Sequence, residues 1–219
     1  DGIWKPKSYS HFVISERGKT RIIDAPKIQD RQIHKVYTRN VLLPLYLPGM
    51  IYNNGASMKG KGLHFSQNLV KRDLRSHFKK YGMSGSIILL DFHAFFPSAS
   101  HEIIAARHRQ FILNDSLRKI GDTIVQSTGL TVGVPLGVET SQVEMIAYPS
   151  DLDNEIKSQL SAKRAGHYMD DYIVMVPPNR NPREILSIIR KKAKELRLTI
   201  SEGKTRIIPF GKPFRYCKA

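Results

Sequence analysis

No stretch of this 219-residue chain approaches the roughly 20 consecutive apolar residues that would cross a bilayer as a helix. No secretory leader is read at its start, and no internal repeat or low-complexity linker interrupts it. Cysteine is all but missing. Cys217 stands alone, which excludes a framework of internal disulfides and agrees with a reducing compartment, so a cytoplasmic location is expected. The first residue is Asp1 rather than Met, so a fragment or a processed form is expected. Acidic residues are also scarce. Only 19 Asp and Glu face 35 Lys and Arg. With 41% hydrophobic and 25% charged residues the chain can bury a sizeable core, as one domain or as two closely packed lobes.

The resulting net charge of +16 and pI near 10 impose self-repulsion on the folded state. A polyanionic partner is the simplest reason to keep such a balance. The basic residues recur along the whole chain, in Arg17-Gly18-Lys19-Thr20-Arg21, Lys59-Gly60-Lys61, Lys71-Arg72, Lys79-Lys80, Arg190-Lys191-Lys192 and Lys204-Thr205-Arg206. That spread predicts a long basic groove rather than a charged tail, although some of these runs, Arg190 to Lys192 among them, are solvated helix faces. Membrane surfaces and ribosomal RNA would attract the same charge, so it defines a class of partner and no activity.

Apolar spacing predicts alternating strands and helices. A strand over residues 19–25 precedes a helix over about 29–43 that stops near Pro44. A glycine-rich basic loop occupies residues 53–62, and a helix marked by Leu69, Val70, Leu74 and Phe78 ends at Gly82. Residues 86–92 form a short apolar strand, with a lobe boundary expected between Gly82 and Ser86. Helical spacing resumes after Ser100 through Ile112, and again from Glu139, where Pro149 should interrupt it. Asn181-Pro182-Arg183-Glu184 is a helix start, and Arg206–Pro209 a final strand.

The most informative segment is Tyr168-Met169-Asp170-Asp171, which reads as a hairpin tip between Ala165-Gly166-His167 and the apolar run Tyr172 to Val176. Adjacent carboxylates repel, so a tight turn that holds them needs a compensating cation, and Asp oxygens are good ligands for Mg²⁺. Taken alone, the tetrapeptide also fits an ordinary acidic turn. A third acid, Asp91, closes the apolar strand Ile87-Ile88-Leu89-Leu90, and a buried strand rarely ends in an acid without a partner. If the two strands are neighbours, three carboxylates meet at one sheet edge and face a polyanion. Two metal ions roughly 3.5–4 Å apart could then serve phosphoryl transfer. Paired carboxylates of glycosidase type are the chemical rival, but they leave the basic charge and the glycine-lysine loops without a purpose.

In order along residues 19–215, the chain resembles a reverse transcriptase. Leu90-Asp91-Phe92-His93-Ala94-Phe95-Phe96-Pro97-Ser98 resembles the first palm motif, with an aromatic five residues after its Asp. Gly133-Val134-Pro135-Leu136-Gly137, continuing to Ser141-Gln142, resembles the second, and His167-Tyr168-Met169-Asp170-Asp171 the third. Leu198 to Thr205 resembles the fourth, and Phe210-Gly211-Lys212-Pro213-Phe214 a looser primer-gripping fifth. The flavour is that of bacterial and phage enzymes related to retrons, diversity-generating retroelements and group II introns.

The resemblance implies an α/β (α+β) right-hand polymerase, with fingers over residues 1–85 and a palm over 86–219 built on an antiparallel sheet with packed helices. No thumb is read after the fifth motif. It implies RNA-directed DNA synthesis with Mg²⁺ (or Mn²⁺), an RNA template, a DNA or RNA primer and deoxynucleoside triphosphates, with no membrane partner. A partner protein or a C-terminal thumb would supply the duplex-holding surface. An RNA-binding scaffold of maturase type and a template-independent nucleotidyltransferase are the alternatives.

By resemblance, Asp91, Asp170 and Asp171 are catalytic metal ligands, joined by the carbonyl of Phe92. Lys204 donates a proton to leaving pyrophosphate, with a plain phosphate contact or a surface lysine as its alternative. Lys19 and Arg21 are candidates to face the triphosphate, Arg21 because a guanidinium fork matches phosphate geometry, with a plain surface lysine as the alternative for Lys19. Phe96 excludes a ribose 2′-hydroxyl, with a core aromatic as its alternative, the place expected for Phe95. Gly137 allows close approach to nucleotide or template, and Gln142 contacts the template strand. Leu136 stands where retroviral enzymes carry Gln, so a side-chain hydrogen bond to the nucleotide is missing there.

Overall fold

The computed structural model describes residues 4–16, 18–160 and 164–217, without the side chains of Glu16 and Lys19. The chain falls into two compact units, each drawn from two separate stretches of sequence. One takes Asp1–Gly49 and Phe96–Tyr148, the other Met50–Phe95 and Pro149–Ala219.

In the first unit, β1 (Ser10–Glu16) and β2 (Lys19–Ala25) form an antiparallel hairpin in which Phe12 faces Ile23 and Val13 faces Ile22. Strand β1 is absent from the sequence reading. Phe12, Val13 and Ile22 are largely exposed, so this ribbon buries neither face well and its apolar alternation is blurred. Helix α1 (Ile28–Tyr37) does not stop near Pro44 as the sequence predicts. It continues through a π-helical turn, Thr38–Leu42, into α2 (Leu43–Tyr46), with Pro44 in the opening turn of α2. The π turn resets the hydrogen-bond register just before the proline, so the missing N–H falls where a helix start leaves donors unused.

Helices α4 (His101–Phe111) and α5 (Asp115–Gln126) are separated by Asn114, whose side chain accepts the Leu117 N–H at 3.0 Å and caps α5. Helix α6 (Glu139–Ala147) follows and ends just before Pro149, as its sequence requires. Between these helices lies a charged core. His108, fully buried, places Nδ1 2.7 Å from Asp122 and Nε2 2.9 Å from Glu144, which also accepts from the Tyr46 hydroxyl. Burial opposes the imidazolium, but the hydrogen bonds and charges of the two carboxylates outweigh it and lift the His108 pKa to about 9.

The second unit opens with α3 (Leu63–Tyr81), β3 (Ser86–His93) and α7 (Ser150–Leu160). There follow β4 (Ala165–Tyr168), β5 (Asp171–Val176), α8 (Pro182–Glu195), β6 (Thr199–Ile200) and β7 (Arg206–Pro209). The strands form one antiparallel sheet in the order β4-β5-β3-β6, and β7 pairs with the first half of β3. Strand alternation sorts the side chains into two faces. Ile87, Leu89 and Asp91 share one face with Asp171, Ile173 and Met175, and Val70 and Leu74 of α3 pack there with Tyr216. Ile88, Leu90 and Phe92 share the other with Tyr172, Val174 and Val176, and all six are buried. Each such side chain contributes about 1.5–3 kcal/mol by leaving water. A core this dry on both faces explains why β3 and β5 read as continuous apolar runs rather than alternating ones.

Candidate active site

The register of β3 and β5 decides where the acids stand. Asp91 is the direct cross-strand partner of Asp171. Because the Phe92 N–H donates to the Asp170 carbonyl at 3.3 Å, the Phe92–Asp170 rung is the hydrogen-bonded one. Asp91–Asp171 is then the non-bonded rung, in which side chains approach most closely. Asp170 adjoins it in the two-residue turn that joins β4 to β5. Like charges directly opposed destabilise a sheet, so the pair requires positive charge.

Lys204 supplies it. A short 3₁₀ turn, Glu202–Lys204, follows β6 and sets Lys204 Nζ 2.5 Å from Asp91 Oδ1. Ser201 holds the same carboxylate oxygen through its hydroxyl at 2.9 Å, and its N–H donates to the Asp91 carbonyl at 2.8 Å. The Lys204 pKa is raised by that hydrogen bond to Asp91, against partial burial, and further by the charges of Asp91, Asp170 and Asp171. The lysine therefore senses all three carboxylates. It remains half exposed, so its head group stays accessible to a ligand.

The turn itself is strained. Met169 adopts φ 54°, a left-handed conformation that disfavours a side-chain-bearing residue by roughly 1–2 kcal/mol. Such a turn persists only where its surroundings over-determine it. Phe92, by contrast, contributes backbone rather than side chain. Its ring is buried, edge-on to Tyr172 at 5.4 Å and stacked on Phe95 at 5.8 Å.

Asp91, Asp170, Asp171 and Phe92 thus lie at one end of the sheet, with hard carboxylate and carbonyl oxygens of the type that suits Mg²⁺. Among the described residues no group of three or more His, Cys, Asp or Glu side chains is arranged to hold a metal ion. The donor types fit such an ion, while in this arrangement the cation on Asp91 is the Lys204 ammonium.

The remaining predicted residues lie in the other unit, and four of them gather around two backbone stitches. The Asp24 N–H in β2 donates to the Leu136 carbonyl at 2.8 Å, three rungs along from Arg21. Gly137, at φ 97°, lies so close to β2 that a Cβ would meet Ile23 Cγ2 at 2.6 Å and the Asp24 carbonyl at 3.4 Å. Phe96 offers its carbonyl to the Val134 N–H at 3.0 Å, three residues before Gly137. Its ring is half-buried, whereas Phe95 is 4% exposed and belongs to the core. Gln142 is half-buried on α6. Lys19 sits on β2, but its side chain is outside the described residues.

Three residues have no assigned role in the sequence reading, yet they underlie the acidic turn. His167, Asp153 and Tyr172 form a buried hydrogen-bonded set on the sheet face opposite Asp91 and Asp171. Asp153 lies on α7, and nothing local in its sequence pairs it with a strand.

The sequence matches the family model of reverse transcriptases, RNA-dependent DNA polymerases, over residues 4–216. The chain belongs to the reverse transcriptase family. No curated protein matches it. Among solved structures, this reverse transcriptase chain is similar to telomerase from Candida albicans in complex with a TWJ fragment of telomeric RNA. The TM-score is 0.67 at 11% identity, over 98% of this chain and 44% of that one. It is also similar to apo telomerase from Candida tropicalis truncated from its C-terminal domain, with TM-score 0.68 and 12% identity over 96% and 52% of the two chains. The chain spans about half the length of these telomerase chains. At such identities the likeness is one of fold. The helices packed on an antiparallel sheet are consistent with a polymerase fingers-and-palm fold.

Proposed function

We propose that this reverse transcriptase domain adds deoxynucleotides to a primer 3′ end on an RNA template. The observation that carries this reading is the acidic rung: Asp91 opposite Asp171, Asp170 beside it, and Lys204 on Asp91. Asp91, Asp170, Asp171 and the Phe92 carbonyl would hold Mg²⁺. When bound, it activates the primer hydroxyl and stabilises charge in the in-line phosphoryl transition state.

The chain's own residues take the other parts. Lys204, a protonated donor beside the three acids, is suited to deliver a proton to the departing pyrophosphate. Arg21 would grip the triphosphate from β2. Leu136 and Gly137, stitched to the same strand, would bring backbone rather than a polar side chain toward the nucleotide, with Gln142 on the template side. Phe96 would close the space a ribose 2′-hydroxyl needs. The net charge of +16 supports a polyanionic partner.

Extension of a primed RNA by the full chain, with deoxynucleotides and Mg²⁺ or Mn²⁺, tests the reading. Asp91→Asn and Asp170→Asn should each abolish addition while leaving duplex binding nearly intact. Wild-type rates in either variant would sink the assignment of the acids. Addition that ignores the template sequence would instead identify a template-independent nucleotidyltransferase.

A further inference from the structure

The turn that carries Asp170 and Asp171 is tied to α7 by one buried side chain. His167 Nε2 lies 3.0 Å from Asp153 Oδ2, and its Nδ1 lies 3.1 Å from the carbonyl of Met169, inside the turn. Its ring stacks on Tyr172 with centroids 4.4 Å apart and planes 4° apart. The Tyr172 hydroxyl donates to the other Asp153 oxygen at 2.9 Å. His167, Asp153 and Tyr172 are all buried. The His167 backbone is held as well, its N–H by the Asn53 carbonyl at 3.3 Å and its carbonyl by the Gly55 N–H at 3.0 Å.

Both ring nitrogens of His167 face acceptors. The contact to Met169 falls on the residue whose left-handed φ shapes the turn. A carbonyl tethered at that point fixes the direction in which the next peptide enters Asp170, and through the Tyr168–Asp171 rung the start of β5.

We infer that His167 and Asp153 are positioning residues that hold the Asp170–Asp171 turn in one conformation. This rests on the proposed polymerase reading for its catalytic consequence, though not for its structural one. The geometry of the turn is held from beneath the sheet, by α7.

Three substitutions separate tethering from mere packing. His167→Phe keeps the ring and its stacking on Tyr172 but removes both hydrogen bonds. Asp153→Leu removes the anchor. Asp153→Asn can still accept from Tyr172, while its amide donates to Nε2 and leaves Nδ1–H for Met169, so the tether survives.

In the metal-free, substrate-free full chain, His167→Phe and Asp153→Leu should speed amide exchange at residues 168–172 by about tenfold or more, with β3 and β7 unchanged. Asp153→Asn should not. In primer extension the first two should lower kcat by about 10- to 100-fold with nucleotide KM within about twofold, since a misplaced turn harms alignment more than binding. Exchange at the turn that stays at the wild-type rate, or that rises uniformly over the sheet, overturns the inference. If neither disruptive variant folds, Tyr172→Phe, which deletes one hydroxyl, should show a smaller rise confined to the same turn, and no rise counts against the tether. A wild-type chain that never adds nucleotides would remove the polymerase reading and leave the exchange result standing.

Discussion

Lys204 donates to the one carboxylate oxygen of Asp91 that Ser201 also holds, 2.5 Å from Nζ, at the point where Asp91 stands opposite Asp171. The repulsion between the two opposed anions is thereby offset in part within the chain. On the proposed reading, the same ammonium supplies the proton to the leaving group.

Replacement of Lys204 by Ala should therefore slow nucleotide addition by about 100-fold, the range typical of a lost general acid, with primer–template affinity little changed. The Lys204 pKa is raised, so its proton is retained through the alkaline range. In wild type, no loss of rate below the usual lysine value of about 10.4 should arise from this group. Single-turnover rates across pH for both proteins check the assignment, and a Lys204→Ala enzyme as fast as wild type would remove it.

Neighbouring aromatics should behave differently. Phe96→Ala should raise ribonucleotide incorporation relative to deoxyribonucleotide by at least about tenfold, because it opens space without emptying a core site. Phe95→Ala should instead destabilise the fold by about 3–5 kcal/mol, because Phe95 is buried against Phe92. Single-nucleotide extension and denaturant unfolding read the two effects. An unchanged sugar ratio in Phe96→Ala means that another group selects the sugar.

Gly137→Ala should destabilise by about 1–3 kcal/mol, since φ 97° disfavours any side chain and a methyl would press on Ile23. Gly203→Ala, where a Cβ meets nothing within 4 Å, should be nearly neutral. Equal stability of the two variants in urea would show that the Leu136–Gly137 stitch to β2 yields freely.

His108 makes stability depend on pH. Its pKa of about 9 in the fold lies above the unfolded value of about 6.5, so its contribution is complete below pH 6.5 and is lost as pH rises through 9. The loss should total on the order of 3 kcal/mol, read as a falling urea midpoint. Glu144→Gln removes one of the two carboxylates that hold the proton and should flatten the slope. A midpoint that is level from pH 6.5 to 9 in wild type contradicts a charged His108.

Much of the candidate site was legible because it is written in short local patterns. Apolar runs that end in Asp91 and flank Asp170-Asp171 placed the acids at strand ends. Asn181-Pro182 marked the start of α8, and Pro149 the end of α6. Local rules failed where a neighbour overrode them. Pro44 should end α1, but the π turn before it absorbs the missing donor. Strand β1 lacks the buried face that would have made its period clear.

By itself the sequence determined the charge, the family motifs, the residue types of the acidic edge and most of its strands, because each depends on composition or on residues adjacent in the chain. Only the tertiary structure decided that Asp91 opposes Asp171, that Lys204 rather than another cation rests on Asp91, and that Asp153 of α7 anchors His167 beneath the turn. Those pairings depend on sheet register and on side chains brought together from distant positions. A one-residue slip between β3 and β5 would turn one acid of the opposed pair to the other face of the sheet, and no local pattern encodes that choice.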